Sequence, residues 1–312
     1  MDIKNVVVAG GGVLGSQIAF QSAYKGFNVK VWLRSEGSID RAKPKFERWK
    51  NVYLQTLEAM KTNPAAYARG LADSPELSDE QIEALKAQVE KAAESIVLTT
   101  SYDEAFGDAD LVIEAIAEEP KQKIELYTEM QKHLPEHTIV CTNSSTMLPS
   151  QFAEYTGRPE KYLALHFANE IWKNNTAEVM GHPGTDPAAY EQVAEFAGKI
   201  GMIPLRLKKE QPGYILNSML VPFLTAAESL LANGVADPET IDKTWMLATG
   251  APVGPFRILD IVGLVTAYNI VVMNPQASDP ETTPGKIAAT LKKYIDEGKI
   301  GVNAGEGFYK YK

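Results

Sequence analysis

Two groups of residues carry the chemistry of this 312-residue chain. The first is a histidine near the end of an apolar run, Ala164-Leu165-His166-Phe167. A short polar turn follows, then Glu178 inside a second apolar run, Ala177-Glu178-Val179-Met180. A carboxylate in such a run is out of place unless it is paired, and a neighbouring strand would bring it to the far nitrogen of His166. The pair would be a base with its orienter. The imidazole exchanges a proton with a hydroxyl, while the carboxylate fixes its tautomer and stabilises the imidazolium. The plainer alternative is a hydrogen-bonded core histidine beside an unrelated glutamate.

The second group is the string Gly10-Gly11-Gly12-Val13-Leu14-Gly15, set between the strand Val6–Ala9 and the helix-forming run Ser16-Gln17-Ile18-Ala19-Phe20. In that setting it is a dinucleotide-binding fingerprint. Gly10 permits the tight turn, Gly12 lets the backbone approach a pyrophosphate on the helix N-terminus, and Gly15 lets the helix pack closely on the strand. An NAD site places an acid about 20 residues further on. Here the second strand, Phe27–Leu33, ends in Leu33-Arg34-Ser35, with Glu36 one step beyond. A guanidinium and a hydroxyl suit a 2′-phosphate, which favours NADP. Arg34 as a solvated charge, or Glu36 turned back to serve NAD, are the competing readings.

Two further polar positions stand out. Thr142-Asn143-Ser144-Ser145-Thr146 follows a buried strand, so it lies either at the crevice or as a cap before Pro149-Ser150-Gln151. Asn217 sits in an apolar helix, where it must find partners. A buried structural amide and a site residue are both open readings.

The elements that must position these groups follow from patterning. Residues 1–207 alternate strands and helices, the mark of a doubly wound parallel sheet. Beyond the first two, strands are expected at Ser95–Leu98, Leu111–Ala115, Thr138–Cys141, Tyr162–Phe167, Ala177–Met180 and Ile203–Leu207. The stretch from about Ile39 to Ala93 is longer than a crossover needs and predicts a helical arm beside the crevice, though its charge can equally be a solvated face. Residues 208–312 read as an all-helical domain. Its helices are expected at Leu216–Leu231, Pro238–Ala248, Phe256–Asn269 and Pro284–Glu297. A helix apolar on most faces needs a large interface, so this domain is expected to make a homodimer.

Composition narrows the class. With 45% apolar residues, both domains can build cores. A net charge of −9 argues against nucleic-acid binding. The single cysteine, Cys141, permits no internal disulfide and fits a reducing cytosol. The chain shows no signal peptide, no membrane-length apolar run and no ligand-like histidine or cysteine spacing. A cytoplasmic protein without metal is expected.

Taken together, the chain resembles the L-3-hydroxyacyl-CoA dehydrogenase family over essentially its whole length. The strings that carry the resemblance are Gly10–Gly15, Val112-Ile113-Glu114-Ala115-Ile116-Ala117-Glu118, Asn143-Ser144-Ser145, His166-Phe167-Ala168-Asn169, Pro212-Gly213-Tyr214-Ile215-Leu216-Asn217, Gly254-Pro255-Phe256 and Gly305-Glu306-Gly307-Phe308-Tyr309. The resemblance implies a Rossmann-like domain followed by a helical dimerisation domain. It implies hydride transfer between NAD or NADP and an L-3-hydroxy/3-oxo group. His166 would be the acid/base and Glu178 its partner, with Ser145 and Asn217 on the substrate oxygens. Glu118, Lys123, Ser145 and Asn169 would contact the nicotinamide half of the cofactor, with Asn143 on the same side.

Departures from the family pattern are informative. Leu33 stands where members usually carry Asp. Ala168 and Glu170 replace Phe and Pro after the histidine, and Asn303 stands where a lysine is common. The arm segment Tyr53–Glu58 offers no lysine for a CoA end. A diketoreductase-like branch shares Leu165–Asn169, a downstream Trp and Asn174–Met180, and implies β,δ-diketo esters as the alternative substrates to a CoA thioester. Related lens crystallins give a remoter alternative, a non-catalytic dinucleotide-binding structural protein.

Overall fold

The computed structural model describes residues 2–311. Eight strands form one sheet: β1 (Asn5–Ala9), β2 (Asn28–Trp32), β3 (Val97–Thr99), β4 (Leu111–Glu114), β5 (Ile139–Thr142), β6 (Tyr162–Phe167), β7 (Thr176–Gly181) and β8 (Ile203–Arg206). Their order is β3-β2-β1-β4-β5-β6-β7-β8. Along β1, Val6 and Val8 enter one core, while Val7 and Ala9 enter the core on the opposite face. This period-2 alternation is that of a strand buried on both sides, as a doubly wound sheet requires. The strand order reverses between β1 and β4, so their carboxyl ends open a crevice for a ligand.

One pairing departs from the all-parallel expectation. Strands β6 and β7 are antiparallel, with His166 opposite Glu178 and Leu165 opposite Val179. The reason is chain length. Only residues 168–175 separate the two strands, too few for the crossover that a parallel partner needs. Strand β8 then returns parallel to β7, its link carried by a helix.

Helix α1 (Val13–Tyr24) follows the glycine loop, and α2 (Glu36–Met60) and α3 (Asp79–Ser95) form the expected arm. The arm begins at Glu36, slightly earlier than the pattern suggested. In α2 the buried residues Phe46, Trp49, Tyr53, Leu57 and Met60 recur at helical spacing. Helix α3 opens with a capping box, Ser78 with Gln81. The arm is tied to α1 where the Tyr53 hydroxyl donates to Gln21 Oε1 at 2.6 Å. It also meets the 168–175 turn, where the Trp172 ring lies 5.4 Å from Trp49 and 5.6 Å from Tyr53. The short α4 (Tyr102–Phe106), α5 (Pro120–Met130) and α6 (Pro187–Lys199) complete the layers.

The chain forms two compact units, one through Ile215 and one from Leu216. The expected boundary at 207/208 falls just after β8, and the segment beyond it joins the first unit because Tyr214 packs with Ala164 and Met180. The second unit is helical: α7 (Leu216–Ala232), α8 (Pro238–Thr249), α9 (Pro255–Val262), α10 (Leu264–Val271) and α11 (Thr283–Asp296) surround Leu224, Phe256, Leu259, Leu264 and Leu291. The single helix expected over Phe256–Asn269 is two helices. Gly263, at φ +93°, breaks it in a conformation that side-chain-bearing residues rarely adopt. Among the described residues, no helix is long and apolar enough to cross a membrane.

The glycine loop divides into packing and open positions. A Cβ on Gly15 would stand 2.2 Å from the Gly10 carbonyl oxygen, whereas one on Gly12 would meet no heavy atom within 4 Å. Gly15→Ala is therefore expected to cost about 1–3 kcal/mol in urea unfolding, and Gly12→Ala less than about 1 kcal/mol. Equal losses for the two variants would contradict this division.

Candidate active site

The antiparallel β6–β7 pair makes the central contact. Directly opposite residues in such a pair present their side chains on one face at close range. His166 Nδ1 lies 3.0 Å from Glu178 Oε2, with both residues buried. The other carboxylate oxygen, Oε1, accepts the Ile215 N–H at 2.8 Å. A carboxylate only accepts, so the Nδ1 atom facing it carries a proton, and Nε2 is left for exchange. Nε2 lies 3.1 Å from Ser145 Oγ.

Tyr214 covers the imidazole. The two rings stack with centroids 4.4 Å apart and planes inclined by 13°, and the phenol donates to the Ser144 carbonyl at 2.8 Å. Its backbone sits at φ +54°, a left-handed conformation that costs a tyrosine energy. Burial, reinforced by the Glu118, Glu178 and Glu114 carboxylates, holds the phenol protonated far above its ordinary range. Nothing in the sequence pattern marked this residue as a partner of His166. Its only signal was its place in the Pro212–Asn217 string.

Ser145 is held from the β4 side. After β4 the chain turns through Glu118, whose carboxylate accepts the Ser145 N–H at 2.8 Å and the Ser144 hydroxyl at 2.7 Å. Asn143, 8% exposed, accepts the Phe167 N–H at 3.1 Å and so clamps the end of β5 to the end of β6. Asn169 lies exposed on the following turn, its carbonyl accepting from Asn174.

Lys123 is placed differently from the contact expected of it. It is 1% exposed, and its ammonium lies 2.6 Å from Glu114 Oε1. Glu114 also accepts from Ile116 N at 2.9 Å, the Tyr127 hydroxyl at 2.7 Å and the Thr142 hydroxyl at 2.8 Å. Enclosed on that carboxylate, Lys123 has no open surface toward a nicotinamide. It braces the carboxyl ends of β4 and β5, from which Glu118 and Ser145 spring. Sequence reading quoted Glu114 only as part of a motif and missed it as a hub.

A separate cleft of about 680 Å³ opens at the glycine loop. Gly10, Gly11, Gly12, Leu33, Arg34, Ala115, Ile116 and Gln122 line it, together with Ser38, Arg41 and Lys45 of α2. Gly10 adopts φ +120° and its N–H meets the Trp32 carbonyl at 3.0 Å. Gly12 brings no side-chain cap to α1, and a Cβ there would project into open space. An uncapped helix N-terminus facing an open cradle fits a pyrophosphate. Val13 is exposed at that terminus, with Leu14 half-buried behind it. Leu33 lies 4% exposed beneath Gly11. Ser35 turns its hydroxyl to Ser38 at 3.0 Å, and Glu36 accepts from the hydroxyl of Thr100, another lining residue, at 3.1 Å. Asn217 belongs to the second unit, half-buried in the first turn of α7.

The Glu114 hub gives a stability test. Lys123→Met leaves a buried carboxylate without its counter-charge and is expected to cost about 3–5 kcal/mol, read from denaturant midpoints. Adding Glu114→Gln should restore part of that loss. Additive losses in the double variant would show that the two groups do not act as a pair.

Comparisons with known proteins give the family. The NAD-binding domain of 3-hydroxyacyl-CoA dehydrogenase matches residues 5–211, and the C-terminal domain of the same enzymes matches residues 213–311. Human mitochondrial hydroxyacyl-coenzyme A dehydrogenase is 33% identical over 310 residues, spanning 99% of this chain and 92% of its own. A probable 3-hydroxybutyryl-CoA dehydrogenase of Bacillus subtilis is 29% identical, spanning 100% of this chain and 98% of its own. Among solved structures, a diketoreductase described as acting on dicarbonyl compounds superposes with TM-score 0.84 at 48% identity, covering all of both chains. FadB2 of M. tuberculosis superposes with TM-score 0.80 at 26% identity, again over all of both chains. On two domain matches that together span nearly the whole sequence, the chain belongs to the 3-hydroxyacyl-CoA dehydrogenase family of oxidoreductases.

Proposed function

We propose that this protein interconverts an L-3-hydroxy and a 3-oxo group, with His166 as the acid/base. One observation carries the reading: His166 is held by Glu178 on one nitrogen and meets Ser145 on the other. A nicotinamide dinucleotide bound at the glycine loop would supply or receive the hydride. In reduction, His166 delivers a proton from Nε2 to the developing alkoxide, and in oxidation it takes that proton back. Glu178 holds the ring by Nδ1 and offsets the charge of the imidazolium. Ser145 donates to the same oxygen, steadied by Glu118 through its own N–H. The Tyr214 face, stacked on the imidazole, favours the cationic ring and fixes its plane. Asn217 is proposed as a further donor to the substrate oxygens on the family resemblance alone. Lys123 is assigned to the support of this framework and not to the cofactor.

The Leu33-Arg34 tip favours NADP over NAD, because Leu33 stands where an acid would serve the ribose hydroxyl and Arg34 offers a guanidinium to a 2′-phosphate. The substrate is proposed as a 3-oxoacyl thioester or its 3-hydroxy counterpart. A second reading, reduction of a non-CoA 3-oxo or β,δ-diketo ester, draws support from the 48% identity to a diketoreductase and from the lysine-free arm segment Tyr53–Glu58. A homodimer through the helical unit is proposed from its exposed apolar residues, among them Leu247 and Met273 at 76% and 77% exposure.

His166→Ala should still bind cofactor while turnover falls at least about a hundredfold. Undiminished turnover on acetoacetyl-CoA or a 3-oxo ester would end the acid/base assignment. Turnover numbers for acetoacetyl-CoA, ethyl acetoacetate and a β,δ-diketo ester, measured side by side, choose between the two substrate readings.

A further inference from the structure

The cleft at the glycine loop contains a cationic wall that the motif does not account for. Ser38, Arg41 and Lys45 all line it, and their spacing of three and four residues puts them on one face of α2. Lys45 Nζ donates to the Gly11 carbonyl at 2.7 Å, which anchors it over the loop. Arg41 folds back toward the start of α2, with Nη2 donating to the Ser38 hydroxyl at 2.8 Å. Arg34 enters the same cleft from the tip of β2, with Nη1 donating to Gln122 at 3.3 Å.

Charge decides what such a wall would hold. The chain as a whole carries −9, yet this cleft is lined by Arg34, Arg41 and Lys45 against a single acid, Glu125, among the described residues. Glu36, the acid nearest the tip in sequence, is not among the lining residues, and its carboxylate accepts from the Thr100 hydroxyl, which is. A pyrophosphate at Gly12 accounts for Lys45, which sits on the loop itself. Arg34 and Arg41 remain, with the Ser38 hydroxyl between them in sequence and already bonded to one of them. A guanidinium pair with a hydroxyl is a donor set for a second, dianionic phosphate.

We propose that Ser38 and Arg41 join Arg34 as a clamp for the 2′-phosphate of NADP(H), with Lys45 serving the pyrophosphate. This rests on the dinucleotide reading above and adds the residues that set the choice between cofactors. Arg41 and Ser38 act on the ribose end alone, so their loss changes discrimination and not hydride transfer. Leu33, buried under Gly11, leaves no acid at the strand tip to compete for the ribose hydroxyl.

Dissociation constants for NADPH, NADH, 2′,5′-ADP and 5′-ADP, taken by fluorescence and calorimetry without substrate, test the clamp. Arg41→Gln should lower the NADPH-over-NADH preference about ten- to hundredfold, with the same drop for 2′,5′-ADP over 5′-ADP. Ser38→Ala should produce a smaller drop in the same direction, and Arg41→Lys should recover part of the loss. A wild-type protein that prefers NADPH, with Arg41→Gln weakening all four ligands equally, overturns the clamp and leaves the dinucleotide site standing. A wild-type protein that prefers NADH also overturns it. Binding of no dinucleotide at all would instead overturn the oxidoreductase reading.

Discussion

The His166–Glu178 contact is the constraint on which the rest of the site depends. Both side chains are more than nine-tenths buried. Taking a lone carboxylate out of water is far costlier than any one packing contact can offset. The strand pairing resolves this by setting the two residues directly opposite each other, so the charge of one form meets the donor of the other. That arrangement requires an antiparallel neighbour, and the short 168–175 link provides it. Had β7 run parallel to β6, the link would have needed a crossover of a dozen or more residues in place of the short turn.

The two glutamates that flank the β4 turn divide the labour by burial. Glu114, wholly enclosed, accepts from Lys123, Tyr127, Thr142 and the Ile116 N–H, so its lone pairs are spent on structure. Burial of Tyr127 itself, and then the Glu114 charge, hold the Tyr127 hydroxyl protonated well above the usual phenol range. Glu118, four residues on and exposed, spends its oxygens on Ser144 and Ser145 instead. A motif of alternating apolar and acidic residues thus yields one brace and one positioning group. The difference is set by which side of the strand end each one leaves.

The glycine-loop end and the His166 end are built on different physical means. At the glycine loop, absence of side chains shapes the surface, since a Cβ at Gly15 would strike the backbone and one at Gly12 would project into the open space before α1. At His166 the site is made by side chains that fix one another: Tyr214 by stacking, Glu178 by a hydrogen bond and Ser145 through Glu118. The left-handed backbone at Tyr214 places its ring over the imidazole while its hydroxyl reaches Ser144. The strain is held by burial on one side and a hydrogen bond on the other.

What the sequence alone determined is everything that depends on short-range order. The glycine string between a strand and a helix, the strand at Tyr162–Phe167 and the misplaced carboxylate at Glu178 are legible because periodicity and local backbone demands are written within a few residues. The split of Phe256–Asn269 at Gly263 was not read, because an isolated glycine inside an apolar run carries two meanings until its φ is known. Tertiary structure alone decided three things. It set the antiparallel register that joins His166 to Glu178, drew Lys123 inward onto Glu114, and brought Arg41 and Lys45 from the arm to the glycine loop. Each is a meeting of residues distant in sequence or of opposite faces of one element. Composition gives no measure of such meetings, because they depend on which of several chemically acceptable partners the packed chain leaves within reach.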